Sequence, residues 1–112
     1  DRIGQVLSNL LDNALRHTPS GASVALSCRR EGRWVEFVVA DSGEGIAPEH
    51  LAHVFDRFYR VDTARDRNRR GSGIGLSISK ALVEAHGGTL TALSPGTGRG
   101  ATFTVRLAAA SR

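Results

Sequence analysis

The sequence predicts an α/β (α+β) domain, a two-layer sandwich with three helices packed on one face of a mostly antiparallel mixed sheet. Two stretches, residues 2–17 and 74–86, repeat apolar side chains at helical spacing, and a shorter helix opens at Pro48. Two pairs of alternating runs, 23–30 with 34–40 and 89–93 with 101–107, are each joined by a glycine-containing turn. The 112 residues suffice for one domain and one core, with little room for a second.

In residues 2–17, Ile3, Val6, Leu7, Leu10, Leu11, Ala14 and Leu15 form an i, i+3, i+4, i+7 stripe, which Thr18-Pro19-Ser20-Gly21 stops. Val24, Leu26 and Cys28 then alternate with polar neighbours, Glu31-Gly32-Arg33 turns the chain, and Val35, Phe37 and Val39 share a face of the returning strand. Asp41-Ser42-Gly43-Glu44-Gly45 ends that strand. Pro48 starts a helix expected to reach about Phe55, placed where a missing N–H costs nothing. Residues 59–72 are polar and aperiodic, a long loop of the kind that serves as a lid or stays disordered. Ile74, Ile78, Ala81, Leu82 and Ala85 mark the last helix, closed by Gly87-Gly88, and the glycine-rich PGTGRG joins the final strand pair.

Composition narrows the function. No apolar run approaches the ~20 residues of a membrane span, so no direct membrane contact is expected from this stretch. The single Cys28 rules out an internal disulfide framework and fits a reducing, cytoplasmic setting. The chain lacks methionine and begins DRIGQ, which leads us to expect a segment of a longer protein whose membrane anchor, where one exists, lies elsewhere. The net charge of +4 and the pI of about 10.5 invite a nucleic-acid reading. However, Arg57, Arg60, Arg65, Arg67, Arg69 and Arg70 crowd beside a glycine-rich turn, with no recognition helix, zinc-finger spacing or aromatic RNA platform. A small polyanion is the expected ligand, and nucleic acid is not.

Three features point to that ligand. Gly71, Gly73 and Gly75 lead into a helix, whose first N–H groups and positive dipole end make an anion site that glycines leave open to phosphate. A ligand-free hinge is the other reading of these glycines. A dinucleotide fingerprint would need a hydrophobic strand before them, and a P-loop would need Gly-Lys followed by Ser or Thr; neither is present. Asn9, Asn13 and Arg16 fall at i, i+4 and i+7 on the first helix. An amide oxygen is a hard ligand suited to Mg²⁺, and a guanidinium suits phosphate, although solvated amides on an outer face would read the same way. Asp41 shares the parity of Val35, Phe37 and Val39, so it faces the core side, where a carboxylate needs a donor. The exocyclic amine of adenine is such a donor, and a turn-initiating Asx role is the competing explanation.

NLLDNALRH, DSGEGI, FDRF and GSGIGL, in that order, resemble the N, G1, F and G2 boxes of the ATP-binding domain of sensor histidine kinases. These domains belong to the GHKL superfamily with its Bergerat fold, and the resemblance runs from residue 1 to about 107. It implies ATP held between sheet and helices, a lid at about 56–72, and loss of the strand that usually precedes the first helix. By resemblance Asn13 ligates Mg²⁺, Asn9 is the other N-box asparagine, Arg16 touches phosphate, and His17 occupies a position where aromatics or histidine are common. Asp41 reads adenine beside Gly43, Gly45 and Ile46, and Phe55 and Phe58 form the F box. Gly71, Ser72, Gly73, Ile74, Gly75 and Leu76 cover the phosphates with Arg60 and Arg70, and Thr102 supports the adenine.

Type II topoisomerases, MutL-type proteins and heat-shock chaperones of the superfamily carry a general-base glutamate where Asn9 stands. An amide cannot take a proton from water, so the resemblance implies slow hydrolysis and a phosphoryl group kept for another acceptor. That acceptor would be a histidine on a separate dimerisation domain, with a response regulator downstream, because His17, His50, His53 and His86 do not sit in the acceptor pattern. The alternatives are an anti-sigma-factor-type serine kinase of the same fold, against which Asn9 counts, and a degenerate nucleotide-binding regulatory module.

Overall fold

The computed structural model describes residues 2–56 and 75–109. Its elements are α1 (Arg2–Arg16), β1 (Val24–Glu31), β2 (Trp34–Asp41), α2 (Pro48–Leu51), α3 (Gly75–Ala85), β3 (Thr89–Leu93) and β4 (Ala101–Ala108). The four described strands lie in the order β1-β2-β4-β3. All three pairings are antiparallel, so the described sheet is not mixed. A tight turn suffices to join antiparallel neighbours, as Gly32-Arg33 does between Glu31 and Trp34, whereas the longer segment 94–101 joins Leu93 to Thr102.

Val6, Leu10 and Ala14 of α1 meet Val83 of α3 and the inward residues Val39, Leu90, Ala101, Phe103 and Val105 of the sheet. Every fourth residue of α1 points inward, as the 3.6-residue period requires. The buried stripe is narrower than the apolar one, since Leu15 is 60% exposed. The strand β4 alternates buried and less buried residues along its inner half, placing Ala101, Phe103 and Val105 under the helices and Thr102 and Thr104 on the opposite face.

Each helix stops for a local reason. Thr18 Oγ1 donates to the Ala14 carbonyl at 2.6 Å, satisfying one of the orphan acceptors of α1 just before Pro19. At the end of α3, Gly87 takes φ 79° while Gly88 N–H bonds the Val83 carbonyl and Gly87 N–H bonds that of Glu84. This is the Schellman arrangement, and it makes glycine necessary at 87. The helix α2 ends sooner than its sequence suggests. Beyond Leu51, His53 N–H reaches His50 O and Asp56 N–H reaches His53 O, tight i→i−3 turns in place of α-helix.

The strand β1 also departs from expectation. Leu26 and Cys28 lie opposite Val39 and Phe37, on the helix side, yet both are exposed. Alternation identifies the inward face of a strand but not whether anything covers it. Only Val24, at the start of β1, packs against the core.

Candidate nucleotide-binding site

Three segments converge at the C-terminal end of β2. The first is the end of α1, whose His17 backbone oxygen accepts from Glu44 N–H at 3.0 Å, while His17 Nδ1 and Glu44 Oε1 are 3.1 Å apart. The second is the loop 41–46. Gly43 is buried against His17 and Thr18, and a Cβ there would overlap the backbone of both. The third is the turn 94–100 between β3 and β4. Gly100 N–H bonds the Gly43 carbonyl at 3.2 Å, and Ile46 N–H bonds Ser94 Oγ at 2.9 Å. Gly45, at φ 71°, presses so closely on the Gly96 carbonyl that no side chain fits.

Asp41 closes β2 on the helix side, in register between Val24 and Ala101 and half-buried. Its Oδ1 accepts from Gly43 N–H at 2.9 Å, the Asx turn that sequence considerations had set against a ligand role. The turn occupies one acceptor direction of the carboxylate and leaves others open to a donor. The turn orients the carboxylate.

Along α1, Asn9, Asn13 and Arg16 are all half-buried, between the fully buried stripe and solvent. Asn9 Nδ2 lies 3.4 Å from Ser79 Oγ on α3. Ser79 is fully buried and is the sole polar residue among the buried ones described. Gly75 opens α3, and a Cβ added to it would meet no described atom within 4 Å. Packing among the described residues therefore does not account for a glycine at this position. Leu76, next along, rests on the core. Phe55 meets Phe103 edge-on at 6.2 Å, with Lys80 Nζ 5.2 Å from its ring centroid, so it ties the segment after α2 to the sheet.

One residue assigned to the site by resemblance is not brought to it. Thr102 lies opposite Ala40 and Leu93, on the face away from Asp41, because successive side chains of a strand point to opposite sides. Ala101 is the β4 residue beside Asp41. Phe58, Arg60, Arg70, Gly71, Ser72, Gly73 and Ile74, and with them nearly all of the expected lid, lie outside the described residues. Conversely, Glu44, Ser79 and Ser94 make contacts here to which the sequence alone assigns no role. Glu44 stood in view within DSGEG, whereas nothing local marks Ser79 or Ser94.

The donor set bears on the metal. Among the described residues no group of three or more His, Cys, Asp or Glu side chains gathers to hold an ion. An all-protein carboxylate cage is therefore not available there. A single amide oxygen with phosphate oxygens and water is the kind of sphere Mg²⁺ accepts, and the asparagine face of α1 fits it.

Fold and site together define a nucleotide-binding α+β domain of the kind found in sensor kinases. Residues 1–111 match the family described as histidine kinase-, DNA gyrase B- and HSP90-like ATPase, and the chain belongs to this family. It is 48% identical over 107 residues to the sensor protein SrrB of Staphylococcus aureus, covering 96% of this chain and 18% of that protein. The chain thus spans about a fifth of its curated relative. Among solved structures, the mycobacterial sensor histidine kinase MprB superposes with a TM-score of 0.79 at 32% identity, over 94% of this chain and 70% of that one. Full-length ShkA in complex with AMPPNP also gives 0.79 at 32% identity, over 99% of this chain and 22% of that one. Among the described residues no helix is long and apolar enough to cross a membrane.

Proposed function

We propose that this chain binds Mg²⁺-ATP and donates the γ-phosphoryl group to a histidine on a separate dimerisation domain, from which a response regulator is then charged. The observation that carries this reading is the junction of the end of α1, the helix bearing Asn9, Asn13 and Arg16, with the loop after Asp41 through His17 and Glu44. The complex of full-length ShkA, 32% identical to this chain, with AMPPNP supports the nucleotide assignment.

In this mechanism Asp41 accepts from the adenine amine while its Asx turn holds the carboxylate in place. Ile46 and the glycines Gly43 and Gly45 keep side chains off the base. Asn13 would hold Mg²⁺ through its amide oxygen, and bound Mg²⁺ neutralises charge on the phosphates. Arg16 approaches the phosphates from the next turn of α1. The first N–H groups of α3, which begins at Gly75, offer donors to the transferred group. Asn9 has no proton-accepting function, and its contact with Ser79 directs its NH₂ towards α3. Nothing at position 9 activates water, so the phosphoryl group is reserved for in-line attack by the incoming histidine nitrogen.

The test uses γ-labelled ATP with this chain alone, with a dimerisation domain bearing its histidine, and with that domain lacking it. Acid-labile label should appear only on the histidine-bearing partner. Efficient self-labelling, or rapid release of phosphate by the chain alone, would overturn the reading.

A further inference from the structure

The sheet ladder between β3 and β4 ends at the Leu93–Thr102 pair. Beyond it, the turn folds back onto the loop after β2. Gly98 N–H bonds the Glu44 carbonyl, Gly100 N–H bonds the Gly43 carbonyl, and Gly100 has no side chain because one would overlap the Asp41 carbonyl. At the centre of this contact is the half-buried Ser94. Its hydroxyl donates to the Gly100 carbonyl at 2.7 Å and accepts from Ile46 N–H at 2.9 Å and Gly96 N–H at 3.2 Å. A hydroxyl has one proton and two lone pairs, so these three bonds use its whole capacity. Two of them close its own turn. The third crosses to Ile46 and serves the other segment.

We propose that Ser94 is a positioning residue of the nucleotide site. Its hydroxyl locks the Gly45-Ile46 end of the loop to the 94–100 turn and so sets how the base is seated against the Asp41 carboxylate. Ser42 N–H is held by the Ser23 carbonyl and Gly43 N–H by the Asp41 carboxylate, whereas the Gly43 carbonyl, Glu44 and Ile46 N–H bond to the turn and to His17. Removing the hydroxyl leaves Ile46 N–H without its acceptor and frees the Gly45-Ile46 end of the loop to shift relative to the carboxylate. The inference rests on the ATP reading above, and its test separates the two.

Affinities of ATP and of inosine triphosphate, which carries an oxygen in place of the adenine amine, are measured by calorimetry for the parent chain, Ser94→Ala and Ser94→Thr. ATP affinity should fall about tenfold in Ser94→Ala, the scale of one lost buried hydrogen bond, while inosine triphosphate binding changes little. Ser94→Thr, which keeps the hydroxyl, should restore discrimination. Equal losses for both nucleotides would mean Ser94 only supports the fold, and would overturn the proposal. A parent chain that does not distinguish the nucleotides would refute base reading by Asp41 instead. In that event, or if Ser94→Ala does not fold, amide exchange of the nucleotide-free parent chain decides. Slow exchange of Ile46 in step with Gly96 and Gly100 supports the lock, and exchange of Ile46 at an unprotected rate overturns it.

Discussion

Replacing Gly75 with alanine should make the free domain more stable and the ATP-bound domain less stable. Gly75 is the first residue of α3, its φ is not in the left-handed region, and an added Cβ meets no described atom within 4 Å. Alanine at a compatible position stabilises by about 0.4–1 kcal/mol, mainly by restricting the unfolded chain. For a domain of this size that raises Tm by about 2–4 °C. In the bound state the same methyl stands where phosphate would approach the helix N-terminus. Loss of one hydrogen bond to a charged group costs about 1.5 kcal/mol, close to tenfold in affinity. With ATP at 100 times the parent Kd, the ligand adds about 2.7 kcal/mol to the parent and about 1.4 to a variant binding tenfold more weakly. The ligand deficit of about 1.3 kcal/mol exceeds the intrinsic gain, so the order of melting temperatures inverts on adding ATP. Thermal denaturation of both chains, with and without Mg²⁺-ATP, reads this directly. A variant that melts below the parent without ligand, or that binds ATP equally well, would refute the argument that this glycine is kept for the ligand.

Asp41→Asn keeps the side chain's size but can present an NH₂ towards the adenine amine, and should cost about 1–3 kcal/mol of ATP affinity in calorimetry; an unchanged affinity would remove Asp41 from the site. Asn13→Ala should weaken ATP binding more in the presence of Mg²⁺ than in its absence, and equal losses would make Asn13 a structural residue. Gly45→Ala adds a left-handed-backbone cost of about 1–2 kcal/mol to an overlap with the Gly96 carbonyl that no rotamer relieves. Gly32→Ala, at φ 60° with nothing within 4 Å, carries the first cost alone. Chemical denaturation should therefore rank Gly45→Ala well below Gly32→Ala, and equal stabilities would contradict the close contact of loop and turn.

The sequence by itself was enough for everything that depends on local periodicity and punctuation. Val6, Leu10 and Ala14 repeat at the helical period, Gly87-Gly88 end α3, and Val35 to Asp41 alternate, so helices, hairpins and the inward parity of Asp41 could be read residue by residue. The ordered asparagine, aspartate and glycine motifs could be read the same way, because each concentrates unusual residue types within a few positions. Tertiary structure decided what depends on segments distant along the chain. Leu26 and Cys28 have the right parity for burial, yet they are exposed because α1 crosses only the start of β1. Thr102 sits in a fitting motif, but pairing with Ala40 turns it to the other face, and a shift of one residue along a strand is enough to do this. Ser94 looks like any turn serine until Ile46, 48 residues away, is seen donating to it. Ser79 reads as an ordinary helical serine until the packing of α3 against α1 buries it beside Asn9. Periodicity records which way a side chain points along its own element, whereas a hydrogen bond between two loops exists only once the sheet has brought them together.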